Sequence, residues 1–414
     1  MRAPEARLRR LAWRALVCLL ACGMALAAGA IPVRAEQPGE FVTKARNAIL
    51  MDYDTGSILY QKGADELVPP ASLSKLMTLA VLFKALKEGK VRLEDEFIMS
   101  ENAWRKGGAP SGTSAMYVEI KTKATINELM QGIIVQSGND ACISVAEGLA
   151  GTEAAFAKEM EEEARRIGLK RSTFKNATGL PADGHLMSAR ELAALARHLI
   201  REYPDHYRVF GQKEFEFINK KNKKFRFFNR NPLLGSELGV DGLKTGHTAE
   251  AGYGLVVSAV NEGRRTIGVV MGLADEKERR EEARRIIEWG IKSFATFKLF
   301  EADEPVGYAR VWGGSRYYVP LSGKEAGPLE VVLPRFPASQ KLRGEILYLG
   351  PLKPPIAKGD KVATLRVTSS VSGGSEPTAM SEVPLYAASE VEPANFLWKG
   401  LDSLVFLALR LVRL

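Results

Sequence analysis

The amino-acid sequence predicts an α+β domain in which helices cover an antiparallel sheet, followed by a small all-β sandwich and a C-terminal amphipathic helix. Three observations lead there. Up to residue 300 the order is early strands, a helical block, late strands and a closing helix, the arrangement of a single α+β domain. Beyond it, short β-prone segments alternate with Gly, Pro and Ser clusters. Over residues 394–414, polar and apolar side chains separate onto opposite sides of a helix.

Residues 1–35 read as a cleaved export signal. An arginine-rich start precedes an apolar run from Ala15 to Ile31, and Val33-Arg34-Ala35 forms an A-x-A-like cleavage site. Lipoprotein processing at Cys22 fits badly, because the apolar run continues past it; a retained anchor is the other alternative. The segments Ala48–Asp52 and Ser57–Gln61 then form a hairpin around Tyr53-Asp54-Thr55-Gly56. Pro69-Pro70 introduces a helix from Ser72 to about Leu86. Helical segments follow at Ile126–Ile134, Ala141–Leu149, Thr152–Ile167 and Glu191–Arg201, the last opened by a capping box over Ser188-Ala189-Arg190-Glu191.

Strands return at Val240–Thr245, Tyr253–Val260 and Thr266–Gly272, with Asn261-Glu262-Gly263 as the turn between the latter two. An amphipathic helix from Lys277 to Phe297 closes the first domain, which spans residues 36–300. Arg316–Leu321, Leu329–Leu333, Leu342–Leu349, Lys361–Val367 and Glu382–Tyr386 supply the strands of the second, residues 301–393. In the last helix, Lys399, Asp402, Ser403, Arg410 and Arg413 gather on one side, with Leu397, Trp398, Leu401 and Leu404 opposite. Its charge-free run, Ser403–Leu409, is far shorter than the ~20 residues of a spanning helix. The pattern predicts a helix lying in the membrane interface, the alternative being a core helix of the second domain.

Composition excludes several classes. Hydrophobic residues at 46% with 26% charged describe a globular chain. The net charge is +9, but six arginines against one glutamate in residues 1–35 hold more than half of it, leaving no case for nucleic-acid binding. Of three cysteines only Cys142 follows the leader, so no intramolecular disulfide is expected, and its apolar neighbours mark it as a core thiol. His185, His198, His206 and His247 show no ligand spacing, so neither a metal nor a cofactor is expected. The sequon Asn176-Ala177-Thr178 reads as chance.

Three short motifs carry chemistry. Ser72-Leu73-Ser74-Lys75 sets a hydroxyl and an amine three residues apart at a helix start, where they lie on one face. A serine is a weak nucleophile until a base takes its proton, and a desolvated lysine can be that base. Ser137-Gly138-Asn139, on a loop between helices, offers a hydroxyl to relay a proton and an amide to hold a carbonyl. Lys244-Thr245-Gly246, at a strand end, presents a cation and a hydroxyl to a carboxylate, with a glycine that would let a substrate backbone approach the strand. Each alone is weak; a helix cap or a solvated strand end explains it as well.

In this order, on a helix start, a loop and a strand, they match the set shared by penicillin-binding proteins and β-lactamases. The chain resembles the low-molecular-mass penicillin-binding proteins, the D-alanyl-D-alanine carboxypeptidase family of serine peptidases. The resemblance is carried by Pro70-Ala71-Ser72-Leu73-Ser74-Lys75, by Gln136-Ser137-Gly138-Asn139-Asp140-Ala141-Cys142 and by Asp241-Gly242-Leu243-Lys244-Thr245-Gly246-His247-Thr248. It runs through Asn229-Arg230-Asn231 and Trp289-Gly290 to the β-rich domain and the final helix.

That resemblance implies a penicillin-binding-protein/β-lactamase-like first domain and an acyl-enzyme on Ser72, activated by Lys75. Ser137 with Lys244 would return the proton, Asn139 would contact the substrate amide, and the backbone N–H groups of Ser72 and His247 would form an oxyanion hole. Lys244, Thr245, Gly246 and His247 would bind substrate together with an arginine, for which Arg279 fits and Arg280 is the alternative. The implied substrates are peptidoglycan stem peptides losing their terminal D-alanine, with β-lactams as covalent ligands. The implied location is the outer face of the cytoplasmic membrane. A β-lactamase is disfavoured by Gly138, where class A enzymes carry aspartate. A DD-endopeptidase and a non-catalytic β-lactam sensor are the other rivals, and a homodimer is left open.

Overall fold

The chain divides into residues 1–39 and 40–414. The structure, a computed structural model, describes residues 41–302, 304–323, 328–335, 341–370 and 379–412. The expected leader and Arg413 lie outside the described residues.

The first hairpin is β1 (Asn47–Asp52) and β2 (Ile58–Lys62). One 3-10 turn, Ala71–Ser74, leads into α1 (Lys75–Lys87). A small hairpin, β3 (Glu96–Ile98) and β4 (Lys123–Thr125), brackets α2 (Glu101–Gly107). The helical block continues with α3 (Ile126–Gln131), α4 (Asn139–Ala150), α5 (Glu153–Ile167), α6 (Ala189–Glu202) and the short α7 (Pro204–Tyr207). A second hairpin, β5 (Glu214–Ile218) with β6 (Lys224–Phe228), precedes β7 (Val240–Thr248), β8 (Gly252–Asn261), β9 (Arg264–Leu273) and α8 (Glu276–Ser293). The turn at Asn261-Glu262-Gly263 has positive φ at both Glu262 and Gly263, as a tight hairpin turn requires.

The central sheet runs β2-β1-β9-β8-β7, antiparallel throughout. Side chains alternate across its plane, so β1 sends Ile49 and Met51 into the core under the helical block and Ala48 and Leu50 into the core under α8. Both faces are buried, which is why these strands read as nearly continuous apolar runs. β7 is an edge strand, and the Ala71–Ser74 turn packs against it.

Two sequence expectations change. The helix beginning near Lys277 stops at Ser293 rather than reaching Phe297, because Phe294–Phe300 becomes β10 and pairs with a strand far along the chain. Half of the Ser188 capping box forms: Ser188 accepts from the Glu191 N–H at 3.2 Å, but the Glu191 carboxylate is taken by Arg171 N, Ser172 N and Ser172 Oγ. A complete box sits instead at Thr125 and Glu128.

The rest is β11 (Gly307–Arg310), β12 (Tyr318–Ser322), β13 (Leu329–Pro334), β14 (Lys341–Leu347), β15 (Lys361–Ser370) and β16 (Ala379–Ala387). A five-stranded sheet, β11-β12-β16-β15-β14, and the β10-β13 pair share one core that includes Val319, Leu321, Val331, Leu333, Leu365 and Leu385. The last helix, α9, spans Phe396–Val412. Among the described residues no helix is long and apolar enough to cross a membrane.

Candidate active site

Ser72 is half-buried in the 3-10 turn, following Ala71, whose φ of 50 places a non-glycine residue in the left-handed region. That conformation costs about 1 kcal/mol and is held by packing on two sides. Gly179 seats against the turn: a Cβ there would come within 2.0 Å of the Ala71 carbonyl oxygen. Opposite, Gly246 of β7 meets Leu73 and Pro70, where an added Cβ would lie 2.9 Å from Leu73 Cγ and 3.1 Å from Pro70 O. The missing side chain of Gly246 thus admits the nucleophile's own turn against the edge strand.

Lys75 is completely buried. Its Nζ lies 2.8 Å from Ser72 Oγ and 2.6 Å from the Thr178 carbonyl. Burial, helped by the Arg230 charge, brings its pKa down to about 8. An appreciable fraction is therefore neutral near physiological pH and can accept the Ser72 proton.

Ser137 is buried at φ 63, again left-handed, at the end of a π-turn over Gly132–Gln136. Wide turns of this kind concentrate at functional sites. Asn139 opens α4: its Nδ2 donates to Thr113 Oγ1 at 2.9 Å, and its Oδ1 is buried without a partner. Asp140, which the sequence reading left without a role, is fully buried and accepts from the N–H groups of Met116, Tyr117 and Ala141. It ties the Ser137 loop to the segment beside it. Burial raises its pKa to about 6.

Lys244 is buried on β7 and donates to Thr245 O at 3.0 Å. Desolvation first, then the charges of Lys75, Arg230 and Arg279, holds its pKa well below the usual lysine value. Two arginines and two lysines thus gather around one site, where an anion would offset their mutual repulsion. Thr245 is buried beside Lys244; His247 is exposed and stacks on Tyr253 at 3.8 Å. Arg279 is buried with its guanidinium 5.6 Å from the same Tyr253 ring, whereas Arg280 is exposed. Arg230 donates to Ser114 Oγ at 2.8 Å.

Tyr253, Arg230 and the Thr178 carbonyl are therefore site groups that residue-by-residue reading missed. Arg230 had only its place in the resemblance as a signal, and a backbone carbonyl gives none. Cys142 is buried, and desolvation pushes its thiol up to about 12, in keeping with a core thiol.

A serine hydroxyl on a strained turn with a buried amine 2.8 Å away is an arrangement suited to serine acyl transfer. The chain belongs to the D-alanyl-D-alanine carboxypeptidase family, whose model matches residues 32–275; the model of the penicillin-binding protein 5 C-terminal domain matches residues 294–393. The chain is 37% identical over 360 residues to D-alanyl-D-alanine carboxypeptidase DacC of Escherichia coli, covering 86% of this chain and 87% of that one. It is 32% identical over 386 residues to DacF of Bacillus subtilis, covering 92% and 96%. The crystal structure of penicillin-binding protein 5 from Haemophilus influenzae superposes with a TM-score of 0.71 at 33% identity, over 85% of this chain and 99% of that one.

Proposed function

We propose that this chain removes the terminal D-alanine from peptidoglycan pentapeptide stems as a serine-type D-Ala-D-Ala carboxypeptidase. The observation that carries the reading is the amine of Lys75, buried and 2.8 Å from Ser72 Oγ. Neutral Lys75 takes the Ser72 proton as Oγ attacks the carbonyl of the penultimate D-alanine. The N–H groups of Ser72 and His247 stabilise the oxyanion. Ser137, with Lys244, delivers a proton to the departing D-alanine nitrogen as the C–N bond breaks. Water then hydrolyses the Ser72 ester. Lys244, Thr245 and Arg279 hold the terminal carboxylate, His247 closes that end against Tyr253, and Asn139 Oδ1 accepts from the substrate amide.

In this reading the chain is exported and works at the outer face of the cytoplasmic membrane, held peripherally by α9. Phe396, Leu397, Trp398, Leu401 and Leu404 on that helix are all about half exposed or more. On the other side Asp402 is buried, paired with Arg310 and accepting from Gly313 N at 2.8 Å. The polar side docks on the β-domain and leaves the apolar side outward, the orientation an interfacial helix needs.

The test is a mass spectrum after benzylpenicillin treatment. One stable adduct mapping to Ser72 is expected, with D-alanine release from an acyl-D-Ala-D-Ala peptide lost together with the adduct in Ser72→Ala. Rapid multiple-turnover hydrolysis of penicillin would mean a β-lactamase instead.

A further inference from the structure

The exposed apolar surface does not end with α9. On the outer face of the β11–β12 hairpin, Tyr308 and Tyr318 are 62% and 56% exposed, and Tyr317 beside them is 43% exposed. Leu349, in the segment after β14, is 96% exposed. Tyrosines mixed into strands are ordinary; a cluster of them beside an outward apolar helix is not.

Arg310 ties these groups to α9. Its guanidinium pairs with Asp402 of the helix and lies 4.9 Å from the Tyr317 ring and 5.6 Å from the Tyr318 ring. Its N–H donates to Tyr348 Oη at 3.2 Å, and its carbonyl accepts from Leu352 N at 2.8 Å. Trp312 N donates in turn to Leu352 O. Leu349 therefore projects from a segment clamped on both sides, so its exposure is built in. Tyr317 and Trp398 line one shallow groove of about 350 Å³ between hairpin and helix, which makes the two surfaces continuous.

We infer that the β-domain itself touches the bilayer, with Tyr308, Tyr317 and Tyr318 at headgroup level and Leu349 entering the acyl boundary next to α9. Tyrosine suits that depth, since its ring is apolar and its hydroxyl finds water or headgroup oxygens. The occupant is a lipid surface, because the patch carries on from a helix read as interfacial; the inference rests on that reading. Its consequence is mechanical. One helix would leave the enzyme free to swing, whereas helix and hairpin together fix the height and tilt of the Ser72 cleft above the membrane.

The experiment is co-sedimentation of the chain with vesicles of phosphatidylethanolamine and phosphatidylglycerol, with penicillin labelling and turnover of a soluble peptide as checks on the fold. Combining Tyr308→Ser, Tyr318→Ser and Leu349→Ser is expected to lower the partition coefficient about tenfold without changing peptide turnover. Leu401→Ser with Leu404→Ser tests the helix separately. Unchanged partition in the first variant with loss in the second overturns the inference and leaves the helix reading intact. Loss in the first alone removes the helix reading. A dimer in vesicle-free solution that the first variant dissociates would assign the patch to self-association and overturn the inference. As a second readout, an environment-sensitive dye on Leu349→Cys is expected to shift to the blue with vesicles; no shift overturns the claim for Leu349.

Discussion

Helices α1 and α9 divide their side chains between protein and water in opposite ways. α1 buries ten of its thirteen residues and takes a lysine down with them. α9 leaves Phe396, Leu397, Trp398, Leu401 and Leu404 outside and buries an aspartate instead. The contrast separates two ways of placing an ionisable group in a low-dielectric interior. Lys75 is given no carboxylate partner, so its proton is loosened, as the proposed role of base requires. Asp402 is given Arg310 and a backbone N–H as partners, and becomes a fastener. Chemistry and docking thus rest on the same desolvation cost, which loosens a proton in one case and is offset by an ion pair in the other.

The contrast breaks first at Lys75. Lys75→Arg keeps length and hydrogen bonding but cannot deprotonate, so acylation by penicillin is expected to fall by at least about 10³-fold. In the unaltered chain, acylation should rise about tenfold per pH unit below pH 8 and level off above it, since only the neutral amine is active. Stopped-flow acylation across pH measures both, and a flat profile would remove Lys75 as the base. Next, Asp402→Ala leaves Arg310 unpaired at a cost of about 3 kcal/mol. Limited proteolysis should then cut near Phe396 well before the β-domain unfolds, with peptide turnover unchanged; equal resistance would show that the pair does not hold the helix.

The smallest effect sharpens the case of burial without a partner. His185 is buried with its Nδ1 accepting from Lys175 N, and desolvation lowers its pKa to about 4. Its folded value lies below its unfolded one, so its cost fades above pH 6.5. The cost grows as pH falls towards 4, reaching about 1.4 kcal/mol by pH 5.5. Urea denaturation of His185→Gln over that range should show a shallower acid decline than the unaltered chain; parallel curves would count against it.

What the sequence disclosed followed chain locality. Ser72 and Lys75 sit one helical turn apart, so their meeting could be read from spacing, and the central strands announced themselves by apolar runs. The β5–β6 hairpin went unread although Phe215, Phe217, Phe225 and Phe227 alternate around Asn219 to Asn222, a signal that was available. The end of α8 could not be read, because β10 forms only with a partner some forty residues onward. At Gly246 the packing constraint from Leu73 comes from a neighbour that only the folded chain reveals. Arg279 and Arg280 are equal on paper and are told apart by which side of α8 meets Tyr253.

The carbonyl of Thr178 gives the lysine something no side chain in the cleft supplies. By accepting from Lys75 Nζ at 2.6 Å, it sets the rotation of the head group and holds the nitrogen beside the Ser72 hydroxyl. In other hydrolases a carboxylate steadies the base, and it also stabilises the positive charge that forms. A peptide oxygen steadies without a full counter-charge, so in the proposed mechanism the ammonium created during attack would stay poised to hand its proton on. The loop bearing Thr178, seated through Gly179 against the turn that carries Ser72, thereby links the aim of the base to the position of the nucleophile.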